Sequence, residues 1–278
     1  MLTSLVARIA PDYVGAPEAE IGFVMGDAVY SVRNIDGLGP VKATVSNVDV
    51  PDRPGSIFQH AKMGNRNIII QVGFRPEFSM SRSVEQLRQS LYQVYMPGNR
   101  IEMDFTTDAL GTVRTRGYVE SADPALFTDD PVLNISVICN DPYFYPISDS
   151  LQTVEIDTIG AQEFSVFSKA YVPVPFRVSF KVVTARKGFI LSSQRPFPAF
   201  YIGSSMELKA DDIIKASSTP GNLYFDYVRY SATNSAMGYF HGQLSEARLY
   251  PGPNPFRFNE IDWMTDLVFE YDMAYGGI

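Results

Sequence analysis

His60 and His241 are the only histidines in the chain and Cys139 is the only cysteine, so little is available for nucleophilic or metal chemistry. Neither histidine has a partner at metal-ligand spacing. Cys139 closes an alternating apolar run and reads as a small buried apolar residue rather than a nucleophile. The sequence has no GxxxxGK[ST] phosphate loop, no GxSxG elbow and no HExxH pair. Carboxylates remain, because a glycosidase needs only two of them. The candidate pairs are Asp129–Asp130, Asp211–Asp212 and Glu260 with Asp262. Adjacent side chains on a strand point to opposite faces, which argues against the first two. Glu260 and Asp262 can share a face, but they follow a Pro- and Gly-bearing stretch at 251–255 that reads as solvated loop. Nothing in these residues demands an active site, a metal or a cofactor. Tyr239, Phe240, Tyr250 and Trp263 are aromatic rings that could stack on the apolar face of a sugar, or equally fill a core.

The elements around these residues are mostly strands. The chain has 278 residues, 45% apolar and 19% charged, which suits two globular domains rather than a disordered chain. Sixteen tyrosines, nineteen phenylalanines, nineteen prolines and twenty glycines point to β-structure with many turns. One cysteine cannot form an intrachain disulfide. The opening MLTSLVARIAPDYVG has no basic and apolar signal pattern, and no apolar run reaches the roughly 18 residues of a membrane span. The expectation is a soluble, non-secreted product without membrane insertion. The net charge is -8, and no Lys/Arg cluster is dense enough to track phosphates. Sequence-specific nucleic-acid binding is therefore not expected.

Period-two alternation predicts strands at 66–74, 100–106, 112–120 and 132–138. AVYSVRNI (28–35) and VKATVSNV (41–48) read as a hairpin-like pair around DGLGP. One segment changes period. SVEQLRQSLYQVYMPG spaces Val84, Leu87, Leu91 and Val94 by three or four residues, which predicts a helix over about 83–97. Ser83 and Gln86 form a capping-box pattern at its start, and Pro97-Gly98 end it. The second half shows short strands at 174–185, 197–203, 205–210, 222–231 and 264–275, as in a β-sandwich of jelly-roll type. LYPGPNPFRF (249–258) reads as a turn. The domain boundary is placed at 145/146, in PYFYPISDS.

Four stretches, in this order, resemble the distal tail (Dit-like) proteins of long-tailed bacteriophages. They are VDVPDRPGSIF with GNRNIIIQVGF, the single helix leading into NRIEMDF, the DPYFYP ending of the first domain, and LYPGPNPFRF. The resemblance implies a mainly β fold. Its parts are a tail-tube-like N-terminal β-domain (1–145) with one packed helix, then a galectin- or carbohydrate-module-like β-sandwich (146–278). It implies a structural part of the phage tail tip, a homohexameric ring that links the tail tube protein to the baseplate hub or a tail-associated protein. Such rings hold receptor-binding proteins and let DNA pass through the lumen. The place of action is the virion tail tip, after assembly in the bacterial cytoplasm. The alternative is a carbohydrate-binding protein that recognises host glycans through the sandwich, with Tyr239, Tyr250 and Trp263 as platform.

Two sets of residues follow as expectations. The segment at 49–65 is long and irregular for a hairpin turn, so Pro51, Arg53, Pro54, Phe58 and Arg66 are expected to meet the neighbouring subunit. Asp141-Pro142 should end the last strand of the ring domain, leaving Tyr143, Phe144 and Tyr145 as a hinge and wedge between the domains.

Overall fold

The computed structural model describes residues 1–10, 20–24, 29–49, 54–79, 82–125, 131–157, 162–194, 200–260 and 262–278. Two units emerge: Met1–Ser148 together with Tyr275–Ile278, and Asp149–Ala274. The boundary falls three residues beyond the expected one, and the last four residues return to the first unit.

The first unit holds strands β1 (Leu2–Ile9), β2 (Glu20–Val24), β3 (Tyr30–Asp36), β4 (Ala43–Asp49), β5 (Ser56–Met63) and β6 (Arg66–Phe74). Helix α1 (Val84–Tyr95) follows, then β7 (Arg100–Thr107), β8 (Gly111–Pro124), β9 (Val132–Cys139) and the short β10 (Tyr145–Pro146). One antiparallel sheet runs β2-β1-β7-β8-β9-β6-β3, with β10 on β8. Its inner face collects Ile68, Ile70 and Val72 of β6, Ile101, Met103 and Phe105 of β7, and Leu133, Ile135 and Val137 of β9, all fully buried. The helix covers this face with Leu87, Leu91, Val94 and Tyr95. Both capping-box bonds form: the Gln86 amide N–H donates to Ser83 Oγ at 3.3 Å, and the Ser83 N–H donates to Gln86 Oε1 at 2.9 Å.

The hairpin expected between 28–35 and 41–48 does not form. β3 instead pairs with β6, Tyr30 opposite Phe74 and Asp36 opposite Ile69, while β4 pairs with β5 as a separate two-stranded sheet. The turn signal at 36–40 marks a change of direction, not a pairing. Gly37 takes φ +88, where a Cβ would stand 2.0 Å from the Asn67 carbonyl, so only glycine suits the position.

The second unit contains β11 (Leu151–Ile156), β12 (Glu163–Ser168), β13 (Phe176–Val182), β14 (Arg186–Ser193), β15 (Tyr201–Leu208) and β16 (Ile213–Thr219). It continues with β17 (Asn222–Arg229), β18 (Ala232–Ser235), β19 (Phe240–Gly242), β20 (Gly252–Phe258) and β21 (Met264–Asp272). They form a six-stranded sheet, β11-β21-β13-β16-β17-β18, and a five-stranded sheet, β12-β20-β14-β15-β19. Phe176, Phe180, Phe189, Phe256, Phe258 and Phe269 interlock in its core with ring centroids 5.1–6.2 Å apart, within the range of favourable aromatic pairs.

Residues 249–258 are not the expected turn. From Gly252 onward they are the central strand β20, despite Pro253 and Pro255. Phe258 donates its N–H to the Gln162 carbonyl at 3.0 Å, so even-numbered N–H groups face β12. The N–H groups that the prolines lack would face β14, whose pairing runs over residues 256–258 and ends where the Gln194 N–H donates to the Pro255 carbonyl at 2.9 Å. The missing donors therefore cost the ladder at most its end bond. Buried Asn254 completes the start of the strand, accepting from the Tyr250 N–H at 2.8 Å and donating to the Tyr250 and Gly252 carbonyls at 2.8 and 2.9 Å.

Candidate functional site

The first unit exposes one element almost completely. Every residue of β5 is exposed, and in β4 only Ser46 is half-buried. β4 and β5 form an arm whose register runs from Ala43 opposite Met63 to Asp49 opposite Ser56. A bulge interrupts this register between Ser46 and Asn47, leaving Gln59 as the extra residue. Ser46 donates to Gln59 Oε1 at 3.3 Å, placing the bulge on the polar face. A bulge shifts all later side chains by one face. Phe58 consequently joins Ala43, Val45, Ala61 and Met63, with Asn47, Asp49 and Ser56 beyond it, while Thr44, Ser46, Gln59, His60 and Lys62 occupy the other face together with Val48 and Ile57 towards the tip. Val45, Phe58 and Met63 are 54%, 58% and 40% exposed. An isolated two-stranded hairpin is marginal in water, and its open edges and apolar face invite a partner.

Of the residues expected at a subunit contact, Phe58 lies on the apolar face of this arm and Pro54 is exposed at the turn before β5. Pro51 and Arg53 lie outside the described residues. Arg66 does not belong with them. It is 1% exposed, and its guanidinium is occupied inside the unit. Nε and Nη2 donate to the Pro142 carbonyl at 2.8 and 2.6 Å. Nη1 donates to the carbonyls of Gly37 and of Gly39, the latter at 2.8 Å, and Nη2 also reaches the Gly276 carbonyl at 2.7 Å. Burial lowers its pKa, against the pull of Cys139 and Asp141. One buried cation thus fastens the Gly37–Gly39 loop, the end of β9 and the returning C-terminus.

The aromatic triplet divides similarly. Phe144 is fully buried in the first unit's own core, edge-to-face with Phe105 at 5.7 Å and 4.3 Å beneath the Arg66 guanidinium. It is therefore not free to act as a wedge. Asp141 organises the turn, accepting from the Tyr143 N–H at 3.1 Å and the Tyr145 hydroxyl at 2.7 Å. Tyr143 and Tyr145 stay half-buried beside a cavity of about 300 Å3 lined also by Arg114, Arg116 and Ile147. On this outer face Glu102 and Asp104 are buried under arginines: Glu102 lies 3.1 Å from Arg114 and 2.7 Å from Arg116, and Asp104 lies 2.6 Å from Arg114 with Arg8 on its other side. These acids are neutralised in place.

The catalytic candidates are dispersed. Burial pushes the Cys139 thiol up to about 11, far from the range of a reactive thiolate. Asp211 pairs with Lys181 at 2.9 Å. Its neighbour Asp212 is buried, accepting from Arg229 Nε and Nη2 at 2.7 and 2.6 Å and from the Lys209 N–H at 2.8 Å. Burial alone would raise its pKa, but these bonds outweigh that and hold it low. Glu260 binds Arg186 at 3.0 Å, and Asp129–Asp130 lie outside the described residues. His60 sits exposed on the arm, and His241 Nε2 meets Ser205 Oγ at 3.1 Å. Among the described residues no group of three metal-ligating side chains gathers, and no helix is long and apolar enough to cross a membrane.

The glycan platform is not assembled either. Trp263 is 5% exposed, packed edge-on against Phe180 at 5.5 Å and covered by the Arg186 guanidinium at 4.6 Å. Tyr250 is half-buried and only Tyr239 is exposed. The residues missed by sequence reasoning are Val45, Ala61 and Met63. Their signal was available: two short alternating runs flank Arg53-Pro54-Gly55, but the bulge at Gln59 breaks the second one.

The fold defines a class: a mainly β protein with a helix-covered, arm-bearing first unit and a β-sandwich second unit. No protein-family model matches the chain, and no curated protein matches its sequence. Among solved structures, it is similar to the SPP1 Dit (gp 19.1) protein, described as a paradigm of the hub adsorption apparatus in phages infecting Gram-positive bacteria. The TM-score is 0.61 at 8% identity, covering 89% of this chain and 94% of that one. Chains of the phage p2 baseplate in its activated conformation, with Sr and with Ca, match at 6% identity over 100% of both chains. Their TM-scores of 0.43 and 0.41 are too low to carry argument. The chain shares the fold of the SPP1 Dit protein, and the resemblance to distal tail proteins holds in three dimensions.

Proposed function

We propose that the protein is a structural component of a phage tail tip. Its first unit assembles with further copies into a closed hexameric ring that joins the tail tube protein to a baseplate hub or tail-associated protein. DNA passes through the lumen, and the ring serves as a dock for receptor-binding proteins. Assembly takes place in the bacterial cytoplasm, and the finished protein acts in the virion, without catalysis or a cofactor. The observation that carries this reading is the exposed arm with its apolar face, set in a fold shared with the SPP1 Dit protein. A ring needs two unlike surfaces on each copy, and the arm supplies one, with Pro54 and Phe58 on it and the sequence neighbours Pro51 and Arg53 proposed to take part in the same contact. Tyr143 and Tyr145, unlike Phe144, keep exposed surface with which to steady the second unit.

Native mass measurement and electron microscopy of the full chain test this. Rings at six times 31.0 kDa are expected, and Phe58→Asp should leave single chains. A wild-type protein that stays at 31.0 kDa at every concentration, with no antibody label at virion tail tips, overturns the reading.

One observation favours glycan binding as a second reading. On the five-stranded sheet, Gly203 sits between Ile190 and His241, leaving a notch in a cleft of about 520 Å3 beside the Tyr201 ring. Glycan-array binding by the full chain that Tyr201→Ala abolishes would support it.

A further inference from the structure

The sheet of the first unit does not close on itself. Its outermost strands, β2 and β3, approach through the Phe23 and Tyr30 rings, whose centroids are 5.9 Å apart. Among the described residues no strand pairs with the outer edge of either. Between them lies a cleft of about 500 Å3 with Leu2, Leu5, Phe23, Val24, Val32 and Ile35 on its walls. Leu5 and Phe23 form part of the core itself, so the cleft opens directly onto buried apolar surface. Two cations, Arg33 and Arg75, also line it and are exposed.

The arm is the counterpart of this cleft in kind. It carries an apolar face, Val45, Phe58, Ala61 and Met63, and on that same face a carboxylate, Asp49, towards its tip. Its own two strand edges are open, so it can add to a sheet edge by main-chain pairing as well as bury side chains. Its eight-residue strand extends about 25 Å at ~3.3 Å per residue, enough to span the seven residues of β3. Within one chain the two stay apart, since all of β5 is exposed. An exposed apolar hairpin and an uncovered apolar cleft on one unit are the two unlike surfaces of a heterologous contact.

We infer that the arm of one copy seats its Val45–Phe58–Ala61–Met63 face in the β2/β3 cleft of the next copy, with Asp49 meeting Arg33 or Arg75. This rests on the proposed ring assembly and names its docking site. Phe58 enters the cleft and covers the exposed Val24 and the half-buried Val32 and Ile35 on its walls. Repeating the contact from copy to copy turns every open seam into a closed one, so each unit completes its sheet only in the assembly.

The test mixes variants of the full chain that each carry one introduced cysteine in a Cys139→Ser background, so that a disulfide can form only between copies. Ala61→Cys with Val32→Cys should cross-link at least tenfold more than Ala61→Cys with Gln89→Cys, which lies exposed on α1. Adding Phe58→Asp to the first variant should reduce the link at least tenfold. If the wild-type chain forms rings but Ala61→Cys links Val32→Cys no better than Gln89→Cys, the docking site is wrong while the assembly reading stands. If the Ala61→Cys/Val32→Cys double variant closes only within single chains, the arm covers its own cleft and the inference falls. A chain that neither cross-links nor leaves the 31.0 kDa state overturns both.

Discussion

β5 and β6 are consecutive strands separated by two residues, Gly64 and Asn65, yet they live in opposite environments. β6 alternates buried and exposed from Arg66 to Ile70 and ends with three buried residues, whereas all of β5 is exposed. The difference is one of neighbours. β6 is flanked on both edges, by β3 and β9, and its one charge is absorbed by four carbonyl groups. Among the described residues β5 has a single neighbour, β4, and a bulge that sets Phe58 on the side of Ala61 and Met63 while Ile57 turns to the other. Stability in this unit is thus concentrated in β6 and its surroundings, and the arm contributes little to it.

The largest effect should come from Arg66. Arg66→Ala strands the carbonyls of Gly37, Gly39, Pro142 and Gly276 in the interior, and each buried acceptor left unsatisfied costs about 1–3 kcal/mol. Calorimetry should show the first unit melting far earlier, with the second unaffected; an unchanged first transition would break the contrast with the arm. The buried pair of the second unit provides a smaller comparison. Asp212→Asn should cost about 1.5–3 kcal/mol at pH 7 through its charged hydrogen bonds. Because the folded pKa of Asp212 is depressed, this stability is present above its unfolded value of about 3.9 and is lost as pH falls through the folded pKa. The gap between the two proteins should begin to narrow in denaturant melts below about pH 4 and close only below the folded pKa, and a gap that does not narrow with falling pH would assign the cost to something other than ionisation.

Ser83→Ala removes the cap of α1 and should lower stability by about 1 kcal/mol, read as a shift of the urea midpoint. The smallest effect belongs to the arm. Phe58→Asp should change the single-chain melting free energy by no more than about 0.5 kcal/mol, although it is expected to abolish assembly. A marked drop in melting would mean that Phe58 supports its own unit, erasing the distinction between the two strands.

The helix was legible in full because its causes are local: apolar spacing, a capping box and a Pro-Gly stop all lie within one segment. The strands at 66–74, 100–106, 112–120 and 132–138 were legible for the same reason, since alternation records which face is buried. Pairing was not legible. Asp36–Pro40 has the residues of a hairpin turn, but β3 gains more by covering the apolar β6 than by pairing with the polar β4. The Pro-bearing 252–258 segment looked like a turn because a sequence does not show on which side of a strand the missing N–H falls.

The candidate site divides the same way. Phe58 was marked as a contact residue from the length of its segment and from the family resemblance, and it does lie exposed on the arm. Arg66 was grouped with it as the head of the strand that follows the same segment in the family resemblance, yet it is buried. Residue types and their periods therefore determined that this protein is two β-units with one helix. The tertiary structure alone decided which aromatic ring is core, which arginine is buried, and which face of the arm is apolar. Those outcomes depend on carbonyls and strand edges brought together from residues as distant as Gly37, Pro142 and Gly276, and a local pattern carries no record of such encounters.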